Sequence, residues 1–132
     1  MSTDQYFVYV IQLNEDVKNR DKWLKRNPNQ TRPECYYVGS SSHTPECRFQ
    51  QHRATSEEPF LCRCHKRRGR AVNPFQIGKW PEAMNLTPEK YSHLNSDSLS
   101  EDQAREIEKN IAQSLMGQGY GIWTDKSNQR PD

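Results

Sequence analysis

Tyr36-Tyr37-Val38-Gly39-Ser40-Ser41-Ser42, running through Thr44-Pro45-Glu46-Cys47 into Arg48-Phe49-Gln50-Gln51-His52-Arg53, decides how the rest of the chain is read. Aromatic and β-branched residues that stop at a glycine and three serines predict a strand ending in a tight turn, since glycine reaches backbone angles closed to Val38. A helix follows. The Thr44 hydroxyl can cap it, and Pro45 suits the first helical position, where its missing N–H costs nothing. On that helix Arg48 and His52 are four apart and share a face. A strand-end tyrosine, a glycine turn and an Arg/His pair form a compact set of groups for handling a phosphodiester; an ordinary strand–turn–helix with a solvated arginine is the competing reading.

Working outward, Tyr6-Phe7-Val8-Tyr9-Val10-Ile11-Gln12-Leu13 is the strongest strand in the sequence, and its nearly unbroken apolar character predicts cover on both faces and a central place in a sheet. Residues 14–35 then form an excursion rich in Lys and Arg, with a short helix over residues 16–26 capped by Asn14 and broken at Asn27-Pro28-Asn29. It reads as a nucleic-acid contact or as a solvated charged loop. After the helix from Pro45 to about Ala54, Phe60-Leu61-Cys62-Arg63-Cys64 reads as a third strand beside the other two. It leads into His65-Lys66-Arg67-Arg68-Gly69-Arg70, where Lys66, Arg67, Arg68 and Arg70 can contact phosphates whatever the base sequence. Phe75, Ile77 and Trp80 are expected on the core, and Thr87-Pro88 predicts another helix start, running to about Leu94.

Ser100-Glu101-Asp102-Gln103 is a capping box. On the helix it opens, at roughly 100° per residue, Ala104, Ile107, Ile111 and Leu115 make an apolar stripe with Glu108 inside it. A carboxylate on an inward face needs a partner, either a metal ion or a basic side chain. Gly117-Gln118-Gly119 closes the helix, Tyr120 to Trp123 folds back on the core, and residues 126–132 read as a disordered tail.

The bulk numbers bound these readings. With 132 residues the chain is one domain; 32% apolar residues and a mean hydropathy of −1.15 predict a small, aromatic-assisted core. Lys plus Arg number 19 against 17 acids, a formal charge of +2, which excludes a uniformly basic protein but not a basic face. No apolar run reaches membrane-spanning length and no secretory leader is visible, so a cytoplasmic protein without a membrane is expected, with Cys35, Cys47, Cys62 and Cys64 as free thiols. Cys62, Cys64 and His65 offer zinc donors, but C-x-C-H lacks the C-x₂-C spacing of usual structural sites.

Taken together, Phe7-Val8-Tyr9, Tyr37-Val38-Gly39 with its serines, Arg48 and His52 in R-F-x-x-H, and Glu108 in A-R-E-I-E-K-N-I resemble the motif set of the GIY-YIG nucleases, over roughly residues 5 to 125. FVY departs from GIY at its first two positions, residues 14–35 are a long insertion between the motif strands, and one extra residue separates Gly39 from Arg48. The resemblance implies an α/β (α+β) fold, a small single domain over residues 1–125 with a three-stranded antiparallel sheet flanked by helices. It also implies a DNA endonuclease that hydrolyses phosphodiester bonds with one Mg2+ (or Mn2+). By the same resemblance Glu108 is the metal ligand, Tyr9 and Tyr37 line the site, Arg48 binds the scissile phosphate, His52 stands beside it, and Ser40, where some members carry lysine, lies at the DNA. Tyr9, Tyr37 or His52 takes the proton from water. A tyrosine with its solution pKa of about 10 needs nearby cations for that task.

Two other readings compete: a catalytically inactive nucleic-acid-binding module on the same fold, and a zinc-stabilised interaction domain. With no attached targeting domain in view, residues 14–35, the basic run at residues 65–70, a homodimer or a targeting partner protein is expected to direct the enzyme to DNA.

Overall fold

The computed structural model describes residues 6–53, 60–61, 75–76, 83–95 and 99–124. In chain order they form β1 (Phe7–Leu13), a 3₁₀ turn (Glu15–Asn19), α1 (Asp21–Arg26), β2 (Cys35–Ser41), α2 (Pro45–Arg53), β3 (Phe60–Leu61), β4 (Phe75–Gln76) and β5 (Ala83–Leu86). Two 3₁₀ turns (Pro88–Lys90 and Ser92–Asn95), α3 (Glu101–Gly117) and β6 (Gly121–Thr124) follow.

β1 is central, as its composition predicts: Val8, Tyr9, Val10 and Ile11 are consecutive and fully buried, which requires cover on both faces. It runs antiparallel to β2, with Tyr9 opposite Gly39 and Ile11 opposite Tyr37. The sheet, however, has four strands in the order β5-β1-β2-β6, and it is mixed, because β6 lies parallel to β2. The expectation of three antiparallel strands is therefore corrected. The proposed third strand does not join this sheet either: Phe60–Leu61 pairs with Phe75–Gln76 in a separate two-stranded ribbon.

The physical reason lies at the two edges. β6 is reached through a long helix, the kind of connection a parallel strand requires, and its short Ile122-Trp123 pair carries no alternation that would mark it from sequence. β5 is nearly as cryptic, since Met84 and Asn85 face solvent. It is pinned from its end, where the Thr87 backbone N–H and hydroxyl both donate to the Val10 carbonyl at 3.0 Å. That use of the hydroxyl leaves Thr87 without a side-chain capping bond, and the helix expected to about Leu94 is two 3₁₀ turns instead.

Asparagine side chains close stretches of strand that no neighbouring strand pairs. Asn95 accepts from the Val8 N–H at 2.9 Å and donates to the Val8 carbonyl at 2.7 Å. Asn27 does the same for Ile122 at 2.9 and 3.0 Å. Each side-chain amide thus stands in for the neighbouring strand that the backbone lacks there, which blunts an edge otherwise open to other chains.

Residues 14–35 are not a solvated loop. Val17 and Trp23 are fully buried, and the Trp23 ring stacks on Trp123 of β6 at 5.7 Å between centroids. Two of the segment's cations lie over aromatic rings of the C-terminal part, Arg26 over Trp123 and Arg32 over Tyr120. The expected helix is also divided: Asn14 caps the 3₁₀ turn by accepting from the Asp16 N–H, and α1 begins anew after Arg20.

Tyr91 is buried, and its hydroxyl has no hydrogen-bond partner among the described residues. Burial, reinforced by Glu46 and Glu89, pushes its pKa up to about 12. Below pH 10 the phenol is protonated whether folded or not, and it imposes no pH dependence. Between pH 10 and 12 the unfolded chain gives up this proton first, so stability falls as pH rises. Tyr91→Phe is expected to be neutral or stabilising at pH 7, since it removes an unsatisfied buried hydroxyl. It should also lessen the alkaline loss by on the order of 1–2 kcal/mol. Urea unfolding of both proteins at pH 7, 9 and 11 reads the difference, and an equal alkaline loss in the two would rule this account out.

Candidate functional site

The stretch that opened the sequence reading departs from expectation at Gly39: β2 does not turn there but runs on to Ser41, with Gly39 paired to Tyr9 and without a positive φ, whereas the helix start after it is as expected. Thr44 accepts from the Cys47 N–H at 3.2 Å and so caps α2, with Pro45 as its first residue. The turn absorbs the extra residue between Gly39 and Arg48, because α2 delivers Arg48 to β1: its Nε donates to the Tyr9 hydroxyl at 3.3 Å. One turn further along, His52 places Nε2 at 3.3 Å from the same hydroxyl. Tyr37 joins them, its ring edge-on to the His52 ring at 4.9 Å and 6.2 Å from that of Tyr9. Residues 9, 37, 48 and 52 therefore form one group, built from two neighbouring strands and one helix.

Gly39 makes this packing feasible. It stands opposite Tyr9 in the antiparallel pair, and a Cβ there would lie 2.5 Å from the Tyr9 hydroxyl and 3.1 Å from Tyr37 Cε1. The glycine of the second motif is thus demanded by the tyrosine of the first. Tyr9, Tyr37 and His52 are buried, whereas Arg48 is only partly so and carries the group towards the surface.

The next residue on β2 meets α3. Ser40 donates its hydroxyl to Glu108 Oε1 at 2.8 Å. α3 starts at the predicted capping box, with both reciprocal Ser100–Gln103 bonds made, and its buried line runs Ala104, Glu108, Ala112, Leu115. The stripe is rotated from the one read off the sequence, so that Ile107 and Ile111 flank it and Glu108 lies on its axis, only 8% exposed. The adjacent residues Gly39 and Ser40 join the two parts of the site, one holding a guanidinium, an imidazole and two phenols, the other a carboxylate.

Among the described residues no three His, Cys, Asp or Glu side chains cluster as a metal cage. A single carboxylate with a hydroxyl beside it still suits Mg2+, a hard cation that keeps several waters and is commonly held by one or two carboxylates together with substrate phosphate oxygens. The donor chemistry at Glu108 therefore fits the metal that the resemblance implies. Lys66, Arg67, Arg68 and Arg70, and with them Cys62, Cys64 and His65, lie outside the described residues, as do Ile77, Trp80 and the tail. No helix among the described residues is long and apolar enough to cross a membrane.

One pair escaped the sequence reading. His43 and Cys47, both buried, approach each other across the start of α2, with Sγ 3.9 Å from Nδ1. Their H-x₃-C spacing was the available signal, and it gains meaning only when a helix start brings the two ends together.

No protein-family model matches the chain, and neither the curated proteins nor the solved structures include a match.

Proposed function

We propose that this chain is a divalent-metal-dependent DNA endonuclease of the GIY-YIG kind. The observation that carries the reading is the convergence of Arg48 and His52 on the Tyr9 hydroxyl, 3.3 Å from each, beside a buried carboxylate held by Ser40. Arg48 offers a planar donor fork matched to phosphate and remains protonated, so it can bind the scissile group and stabilise charge that grows on it. Its Nε donates to the Tyr9 hydroxyl, which fixes the guanidinium beside the phenol. The Tyr9 oxygen accepts from Arg48 and shares a hydrogen bond with His52 Nε2, and this phenol–imidazole pair offers the attacking water's proton a route away. Tyr37, edge-on to His52, holds the imidazole in place.

Glu108 would hold Mg2+ or Mn2+, and Ser40 orients its carboxylate. Once bound, such an ion supplies Lewis-acid stabilisation of the phosphate oxygens and a more acidic water. Lys66, Arg67, Arg68 and Arg70 are proposed as the salt-sensitive contacts to the DNA backbone. One such site cuts one strand, so a second copy or a targeting partner is proposed where both strands are to be cut.

Incubation with supercoiled, linear, single-stranded and branched DNA in Mg2+ or Mn2+ tests the reading. Nicking that chelator abolishes is expected. Binding that persists in chelator, with no nicking in either metal, would instead identify a non-catalytic nucleic-acid-binding module.

A further inference from the structure

We infer that α1 grips the phosphate backbone of duplex DNA beside the scissile group, with Lys22, Lys25 and Arg26 as the contacts. The inference rests on the nuclease reading for the place of the scissile phosphate at Arg48, and it gives residues 14–35 a defined part of the substrate to hold.

Strand register puts α1 and Arg48 on one side of the sheet. Paired residues of neighbouring strands turn their side chains to the same face. Tyr37 is paired with Ile11 of β1 and with Trp123 of β6, and Tyr9, two residues from Ile11, shares that face. Tyr9 and Tyr37 meet α2 there. Trp123 meets α1: its ring stacks on Trp23, and the Arg26 guanidinium lies over it at 4.3 Å from the centroid. The order across the face is therefore Arg48 with Tyr9, then Tyr37, then Trp123 with Arg26. β1 and β6 are two strand spacings apart, about 10 Å, a span over which a duplex with about one negative charge per 1.7 Å of axis presents several phosphates.

α1 is a fixed part of that face. Trp23, its one buried residue, donates from Nε1 to Gln30 at 2.9 Å besides stacking on Trp123. Asn27, next after Arg26, donates to the Trp23 and Ile122 carbonyls and accepts from the Ile122 N–H. Arg26 thus stands between two residues fastened to β6, and its own planar group is laid on an aromatic ring, which limits the freedom it would lose on binding. At about 100° per residue, Lys25, Lys22 and Arg26 cover about 100° of the helix surface, with Arg26 at the edge next to Trp23. All three are exposed, and none forms an ion pair among the described residues. Cations alone on such a face suit phosphate whatever the bases, so α1 supplies affinity and direction rather than sequence preference.

Arg32 provides the contrast. It too lies over an aromatic ring, that of Tyr120, but Tyr120 packs on Tyr36, which points to the opposite face from Tyr37. Its Nε donates to the Gln118 carbonyl.

The test is equilibrium binding of the full chain to a fluorescent duplex of about 20 base pairs, in chelator so that binding is read without cleavage, from about 50 to 200 mM salt. Arg26→Gln should lower the slope of log K against log salt by about 1, and the triple Lys22→Gln, Lys25→Gln, Arg26→Gln variant by about 2–3, with at least about tenfold weaker binding. Arg26→Lys should restore the slope, and Arg32→Gln, which removes the same charge from the other face, should keep it. If Arg26→Gln lowers the melting temperature by unseating Trp123, the Lys22→Gln, Lys25→Gln pair, which touches no ring, still answers with a slope lower by about 2. A parent that binds no duplex, a triple variant with the parental slope, or an equal loss in Arg32→Gln would each overturn the assignment. Nicking by the parent in Mg2+ is scored apart. Parental nicking with an unchanged slope in the variants strikes α1 alone, whereas a lowered slope with no nicking upholds the α1 contact and strikes the nuclease reading.

Discussion

Glu108→Ala is expected to abolish metal-dependent DNA cleavage, a loss of at least about a thousandfold, while leaving the fold intact. The separation of the two effects follows from where the carboxylate lies. It occupies the axis of the buried line of α3, between Ala104 and Ala112, and it accepts a hydrogen bond from the Ser40 hydroxyl. Bringing a carboxylate to such a place costs several kcal/mol, against which its hydrogen bonds are set. Alanine is a stronger helix former and removes that cost, so stability should change by no more than about 1 kcal/mol in either direction.

Glu108→Gln sharpens the test, since it keeps the acceptor for Ser40 and loses the charge that holds the metal. It should fold like the parent and fail to cleave. Arg48→Ala should be equally inactive for a different reason, the loss of the phosphate-binding fork, and should still bind Mn2+. Nicking of supercoiled plasmid, calorimetric titration with Mn2+ and thermal melting of the purified variants separate these outcomes. Near-parental nicking by both alanine variants would end the nuclease reading.

The second large effect is expected at Gly39, and there stability and activity should fall together. An alanine methyl would lie 2.5 Å from the Tyr9 hydroxyl and 2.6 Å from its Cζ, closer than atoms pack. The ring cannot swing aside freely. Tyr9 is fully buried, and its hydroxyl is engaged with both Arg48 and His52. Relief must come from shifting β2 against β1 or from pushing Tyr9 off its partners. Gly39→Ala should therefore cost about 1–3 kcal/mol, as overpacked cores do, and should lose most cleavage because Tyr9 no longer seats Arg48. Gly117→Ala is the matched control: nothing lies within 4 Å of a Cβ at the end of α3, so it should be neutral or slightly stabilising. Urea unfolding and plasmid nicking of both variants measure this. Equal stability of Gly39→Ala and the parent would show that the close approach of Tyr9 to Gly39 is not maintained in solution.

Much of the site was legible because its signals are local. The Thr44-Pro45 cap, the Ser100–Gln103 box and the four-residue spacing of Arg48 and His52 depend on a few neighbouring residues, and helix geometry turns them into directions in space. The inward turn of Glu108 follows from the same periodicity. The sheet was less legible. β5 and β6 are short, one exposes half its residues, and both are held by partners distant in sequence, Val10 and Asn27. Residues 14–35 misled for a related reason: most of the segment is charged or polar, whereas the buried side chains that tie it to the core, Val17, Trp23, Asn27 and Cys35, are a small minority of it.

What the sequence by itself determined is the central strand, the helix start at Thr44-Pro45, the two principal helices and the inward placing of Glu108, since each rests on backbone preference and periodicity within one segment. Only the tertiary structure decided that the sheet has four strands, that asparagines finish two of its edges, that Tyr9 lies across Gly39 between Arg48 and His52, and that Ser40 holds Glu108. Those are contacts between residues tens of positions apart, and their energy exists only once the chain has brought both partners together and excluded the water that otherwise satisfies them.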